Sequence, residues 1–203
     1  MIGLSRRIPQ ADRYVREGRW KSEGEYPHTS ELTGQTVGIV GLGRIGKEIA
    51  LRCLAMKMRV LYHGRHRQPH MPYVYYGDIV GMAADADWLV IVAPGGAETK
   101  GIVSRAVLEA LGPDGMLVNM SRGTLVDEPA MVDMLVSGAL GGAALDVFEN
   151  EPNVPEALLG LDNVVLSPHQ GSATTKTRDA MGNLVIDNLL AHFEGRPLLT
   201  PVV

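Results

Sequence analysis

The stretch QTVGIVGLGRIGKEIA, residues 35–50, constrains this chain more than any other. A short apolar strand, Thr36–Val40, runs into GLGRIG, and that turn runs into a helical pattern. Gly41 permits a tight turn, Gly43 lets backbone approach a pyrophosphate, and Gly46 lets the following helix pack close to the strand. The glycine spacing alone is a weak signal. Its place between a strand and a helix gives it weight. A helix starting there aims unpaired N–H groups at whatever binds, which suits phosphate.

The rest of the chain repeats the theme. SRRIPQADRYVREG, 5–18, predicts a charged helix with Pro9 near its start, and 18–34 predicts a polar loop. Residues 47–58 place Ile49, Ala50, Cys53 and Leu54 at helical spacing. Strands are predicted at 59–63, 87–94, 115–121, 141–148 and 163–168. The run DWLVIVAP is continuously apolar, as in a strand buried on both faces. Helices are predicted at GDIVGMAADA, at SRAVLEALG closed by Gly112, and at 127–138 with Asp127 as N-cap and Gly138 beyond the end. A long helix follows at 173–195, while 149–162 reads as loop more than helix. Six buried strands alternating with helices predict an α/β fold: a Rossmann-type doubly wound parallel sheet with flanking N- and C-terminal helices.

Charge and cysteine content narrow the function classes. The formal net charge is −4 with both signs interspersed, which argues against a nucleic-acid partner. The single cysteine, Cys53, allows no intrachain disulfide and fits a reducing, cytoplasmic setting. No run approaches the roughly 18 apolar residues that a membrane helix needs, and the start has no signal-peptide pattern.

In an NAD-binding unit, an acidic residue about 20 positions after the glycine turn holds the ribose 2′-hydroxyl. Here that place is LYHGRHRQP, with Gly64 followed by Arg65 and Arg67 and no carboxylate nearby. A glycine leaves room, and guanidiniums clasp a 2′-phosphate through paired charge-assisted bonds. NADP(H) is therefore expected over NAD(H), with Arg65 the first candidate and Arg67 the second. The plainer alternative is a pair of solvated surface arginines.

Three more segments place chemistry at strand ends, where ligands of open parallel sheets bind. NMSRG puts Arg122 after the fourth predicted strand, DVFENEP puts Asp146 and Glu151 after the fifth, and SPHQGSA puts His169 after the sixth. Each residue alone reads first as an ordinary one: Arg122 as a surface charge, Glu151 as a loop residue, His169 as structural or solvated. Together they suit reduction of a 2-oxo acid. His169 can supply a proton to the carbonyl oxygen, Glu151 can hold the ring and favour its charged form, and Arg122 can fork onto the substrate carboxylate.

The segments VGIVGLGRIGKEIA, LVNMSRGTLVDEPAM, GGAALDVFENEP and VLSPHQGSAT resemble the D-isomer-specific 2-hydroxyacid dehydrogenases over almost the whole chain. YHGRHRQP is similar to the corresponding run of NADP-preferring glyoxylate/hydroxypyruvate and 2-ketogluconate reductases. Formate dehydrogenase, a cousin, has Gln where Glu151 stands. The resemblance implies a catalytic set of Arg122, Glu151 and His169, with Asp146 facing the nicotinamide. It implies cofactor contacts from Gly41, Gly43, Arg44, Ile45, Gly46, Gly64, Arg65, Arg67, Ala93, Pro94, Met120, Ser121, Asp146, His169 and Gly171, and no metal. The reaction implied is hydride transfer from NADPH to a small 2-oxo acid, giving the D-2-hydroxy acid.

The family's layout implies three parts: residues 1–34 entering the nucleotide domain, 35–170 forming it, and 171–203 returning to a substrate domain. The N-terminal part of that substrate domain has no counterpart here. Leu184, Val185, Leu189, Leu190 and Phe193 are then expected to lack their usual cover. A second reading, a nicotinamide-dinucleotide-binding fragment or sensor without turnover, stays open at this point. A homodimer is also implied. Trp20 in GRWKSEGEYP reads equally as an interface anchor and as an ordinary half-buried indole.

Overall fold

The computed structural model describes residues 1–201. The chain divides into two compact units, Met1–Pro168 and His169–Val203. The first holds all of the sheet. Its strands are β1 (Thr36–Val40), β2 (Arg59–His63), β3 (Val74–Tyr76), β4 (Trp88–Ile91), β5 (Met116–Asn119), β6 (Gly142–Leu145) and β7 (Val164–Leu166). They pair in the order β3-β2-β1-β4-β5-β6-β7, and every pairing is parallel. The chain is wound outward in one direction through β3 and then returns to β4 beside β1. The strand order therefore reverses at the β1–β4 crevice.

The two-residue period of the strands explains the two-faced burial. Val37 and Ile39 of β1, Val60 and Tyr62 of β2, and Trp88 and Val90 of β4 belong to one apolar cluster. Val40, Leu61, Leu89 and Ile91, from the alternate positions, belong to the other. Helix α4 (Arg44–Ala55) contributes Ala50 and Cys53 to the first cluster. Helices α5 (Ile79–Ala84), α6 (Arg105–Leu111) and α7 (Glu128–Ser137) contribute Met82, Leu108, Met131 and Leu135 to the second. The buried indole of Trp88 donates its N–H to Gln35 Oε1 at 2.6 Å. Asp127 caps α7 by accepting from the Ala130 N–H at 3.1 Å, and Gly138 ends it at φ +75°.

The N-terminal segment corrects the expectation of one helix over 5–18. Two helices form instead, α1 (Ile2–Ser5) and α2 (Ile8–Arg16), separated at Arg7 with φ +46°. Pro9 lacks an N–H, and inside a continuous helix its ring would clash with the Ser5 carbonyl, so it must sit in a first turn. The expected loop 18–34 contains a short helix, α3 (Arg19–Glu23). Gln10 of α2 donates to the carbonyls of Asp162 and Val164 at 3.0 and 3.1 Å and so ties this segment to the β7 side of the sheet. The crossover 149–162 likewise holds one short helix, α8 (Glu156–Leu159).

Seven strands form where six were expected. The extra one, β3, is three residues long and lies at the sheet edge. Three residues carry no period to read, and only pairing with β2 makes them a strand.

The second unit is built on helix α9 (Thr175–Phe193), capped by Thr174, whose Oγ accepts from the Thr177 N–H. Asn188 holds the following tail through two bonds to Thr200, at 3.0 and 3.2 Å. Leu184, Val185, Leu189, Leu190 and Phe193 are all exposed, Phe193 by 82%. No helix among the described residues is long and apolar enough to cross a membrane.

Leu117 is fully buried on the interior strand β5. Replacing it with Ala is expected to lower stability by about 2–5 kcal/mol. Urea unfolding with an unchanged slope measures this. A loss well under 1 kcal/mol would mean that the sheet–helix layer is not close-packed there.

Candidate cofactor and active site

The glycine turn joins β1 to α4 at the reversal point of the sheet. Gly41 has φ +100°, and a Cβ there would lie 2.6 Å from the Ala93 backbone nitrogen. At Gly46 a Cβ would lie 2.3 Å from the Gly41 carbonyl oxygen. Both positions exclude any side chain. Gly43 differs: nothing lies within 4 Å of its Cβ position, so the backbone faces open space. Gly43 is also the N-cap of α4, and no side chain caps that helix. Its first N–H groups have no partner within the helix and are available to an anion.

A cavity of about 740 Å³ opens beside this turn. Its walls come from three strand ends: Gly43, Arg44 and Ile45 after β1, Val92–Gly96 after β4, and Met120, Ser121, Arg122 and Thr124 after β5. Among the described residues lining it are two guanidiniums, Arg44 and Arg122, and no carboxylate. With the α4 N-terminus, these make an electropositive cleft of a size that suits a small organic ligand. Of the residues expected from the sequence, Gly43, Arg44, Ile45, Ala93, Pro94, Met120, Ser121 and Arg122 all line this space.

Arg122 is placed by its neighbours. Asn119 ends β5 nearly buried, donates to the Arg122 carbonyl at 2.9 Å, and accepts from the Ser121 N–H at 3.1 Å. Ser121 Oγ donates to the Ala93 carbonyl, which joins the β5 turn to the β4 turn. Gly95 makes room for the Arg122 stem, since a Cβ there would sit 2.9 Å from Arg122 Cγ. Gly123 packs against the loop after β6: a Cβ would lie 2.0 Å from the Phe148 carbonyl carbon. That loop carries Glu151, whose Oε1 accepts from the Phe148 N–H at 3.1 Å. The segments holding Arg122 and Glu151 are thus in direct backbone contact. Asp146 follows β6, with its N–H on the Asn119 carbonyl at 3.0 Å.

Gly64, Arg65 and Arg67 stand together just past the end of β2, and both arginines are exposed. Nothing lies within 4 Å of the Gly64 Cβ position. Gln68 closes this loop by donating its side-chain amide to the Leu42 carbonyl, inside the glycine turn, at 2.8 Å. His169 and Gly171 open the second unit, and His169 holds φ +49°, uncommon for any residue but glycine. Cys53 faces the core side of α4; burial pushes its thiol up, so at neutral pH it stays protonated and packs as a small apolar group. No cluster of three or more His, Cys, Asp or Glu side chains suited to a metal ion occurs among the described residues. Trp20 is 64% exposed, which removes the half-buried reading of it.

Sequence reasoning passed over Asn119, Gly95, Gly123 and Gln68. Asn119 did carry a signal: an amide closing a buried apolar run must find backbone partners. Asn119→Ala strands the Ser121 N–H and the Arg122 carbonyl, and is expected to cost about 1–3 kcal/mol. Chemical denaturation checks this, and an unchanged midpoint would show that Asn119 does not hold the turn.

The protein-family model for the D-isomer specific 2-hydroxyacid dehydrogenase NAD binding domain matches residues 1–171. The chain is 51% identical, over its full length, to the hydroxyphenylpyruvate reductase of Plectranthus scutellarioides and spans 64% of that protein. It is 44% identical to the 2-ketogluconate reductase of Gluconobacter oxydans, spanning 65%. Among solved structures, it superposes with a TM-score of 0.96 at 48% identity on the NADPH-dependent glyoxylate/hydroxypyruvate reductase of Sinorhizobium meliloti in complex with NADP and malonate. That match covers 100% of this chain and 64% of the other. The chain belongs to the D-isomer specific 2-hydroxyacid dehydrogenase family and carries its NAD binding domain.

Proposed function

We propose that this chain is the cofactor-binding and catalytic part of a reductase that moves hydride from NADPH to a small 2-oxo acid of the glyoxylate or hydroxypyruvate type, forming the D-2-hydroxy acid. The observation that carries the reading is the cleft at the β1–β4 reversal point, lined by Arg44 and Arg122, together with two exposed arginines just past β2 where an NAD-binding site would need a carboxylate. The relatives named above, one of them NADPH-dependent, support it. NAD(H) is the second-choice cofactor.

The pyrophosphate would lie on the α4 N-terminus and the Gly43 backbone, which is open to close approach. The 2′-phosphate would take charge-assisted bonds from Arg65 and Arg67 beside Gly64. When bound, the nicotinamide supplies the hydride. Asp146 would be among the residues that hold the nicotinamide. Arg122 forks onto the substrate carboxylate and polarises the carbonyl, an arrangement aided by the Asn119 and Gly95 contacts that aim it. His169 gives the carbonyl oxygen its proton, and Glu151 orients the His169 ring. The left-handed backbone of His169 supports a special role, because such conformations gather at functional sites.

Residues 35–170 serve as the cofactor domain, 1–34 lead into it, and 171–203 return to a substrate domain. The exposed apolar side chains of α9 are what that domain would cover. A cytoplasmic homodimer, with exposed Trp20 as an interface anchor, completes the proposal.

His169→Ala is expected to abolish hydroxypyruvate-dependent loss of NADPH absorbance while NADPH still binds by fluorescence. A variant that turns over normally would remove His169 from the chemistry. A parent chain that binds NADPH and never oxidises it would leave only the non-catalytic module. Arg65→Ala is expected to weaken NADPH binding roughly tenfold or more and to leave NADH binding nearly unchanged. Equal losses for both cofactors would sink the 2′-phosphate assignment.

A further inference from the structure

The five residues Gly64–Gln68 could have been a loose loop, since Arg65, His66 and Arg67 are exposed. They are instead fastened at both ends. Tyr75 in β3 donates its hydroxyl to the Gly64 carbonyl at 3.1 Å. The hydroxyl of Tyr62 in β2 accepts the Gln68 N–H at 2.7 Å. The Gln68 side chain then crosses to the Leu42 carbonyl at 2.8 Å. Tyr62 and Tyr75 are register partners of the β2–β3 pairing, and their rings lie 5.3 Å apart. Tyr62 is 1% exposed, so its hydroxyl reaches the loop from within the core.

We propose that Tyr62, Tyr75 and Gln68 are positioning residues that set the preference for a 2′-phosphorylated dinucleotide by holding the Arg65–Arg67 arch in place. The inference rests on the reading above that these arginines take the 2′-phosphate. The physical reason is preorganisation. An exposed arginine gives up much side-chain freedom when it grips an anion, and a wandering backbone would add to that loss. Fixing Gly64 and Gln68 removes the backbone part before the ligand arrives. The Gln68–Leu42 bond has a second effect. Leu42 lies between Gly41 and Gly43, so this bond sets the spacing between the arginine arch and the glycine turn. In a 2′-phosphorylated dinucleotide both anionic groups sit on one adenosine, at a separation that varies little. A site with matching fixed spacing favours that ligand over one lacking the 2′-phosphate. None of the three side chains needs to touch the ligand.

The test uses the full chain with Tyr62→Phe, Tyr75→Phe and Gln68→Ala, each in the parent and in an Arg65→Ala/Arg67→Ala background. Equilibrium binding of NADPH, NADH and adenosine 2′,5′-bisphosphate is measured by fluorescence or calorimetry, with thermal unfolding alongside. In the parent, each variant is expected to weaken NADPH and the bisphosphate by roughly three- to tenfold and to leave NADH unchanged. In the background without guanidiniums the same variants should no longer alter the NADPH-to-NADH ratio, because the clamp acts only through the arginines. A general loss of structure would weaken both cofactors together and would overturn the proposal, as would an unchanged ratio in the parent. If removing both arginines leaves the ratio untouched, the 2′-phosphate reading itself fails and the clamp falls with it. If that removal changes the ratio and the clamp variants do not, the clamp alone is wrong.

Discussion

The close approach of Gly46 to the Gly41 carbonyl governs the rest of this site. With a Cβ position only 2.3 Å from that oxygen, α4 can start immediately behind β1 only because no side chain is present. Gly41 performs the same service against the Ala93 backbone of the neighbouring β4 turn. The helix N-terminus is thereby drawn to the line where the sheet reverses direction. Two arginines and a row of helix N–H groups then share one cleft without an opposing carboxylate in its lining. A methyl group at Gly46 would push the helix away from the strand end, and one at Gly41 would push the glycine turn away from the β4 turn.

The side chains proposed to do chemistry are exposed or on loops, and loops wander unless something holds them. In the first unit the holding is done by ordinary polar residues bonded to backbone. Asn119 spans the turn that presents Arg122. Ser121 ties that turn to the one after β4. Gln68, Tyr62 and Tyr75 fasten the loop that presents Arg65 and Arg67. Bonds of this kind tie the loops that carry the proposed chemical groups to the rigid sheet.

Local pattern carried far in some places and stopped short in others. The strands at 36–40 and 59–63 emerge at the expected boundaries, because runs buried on both faces have no competing period. The cap of α7 at Asp127 and the stop at Gly138 were equally legible, since both depend on a few neighbouring residues. The break between α1 and α2 could have been read from Pro9 and the carbonyl four residues behind it. Edge strand β3 could not: VYY becomes a strand only because β2 is beside it. Missing β3 also hid Tyr75, and with it one end of the arginine-loop clamp.

By itself the sequence determined the doubly wound sheet, the glycine turn and the identities of the candidate chemical groups. Apolar period, turn residues and residue type are written in consecutive positions. The tertiary structure decided which of those groups share a space. Arg122 and Arg44 line one cleft, although they stand 78 positions apart in the chain. The turn holding Arg122 abuts the loop of Glu151 because Gly123 lets two backbones touch. Those meetings depend on the sheet's strand order, and strand order is a property of packing between distant segments that no single stretch of residues contains.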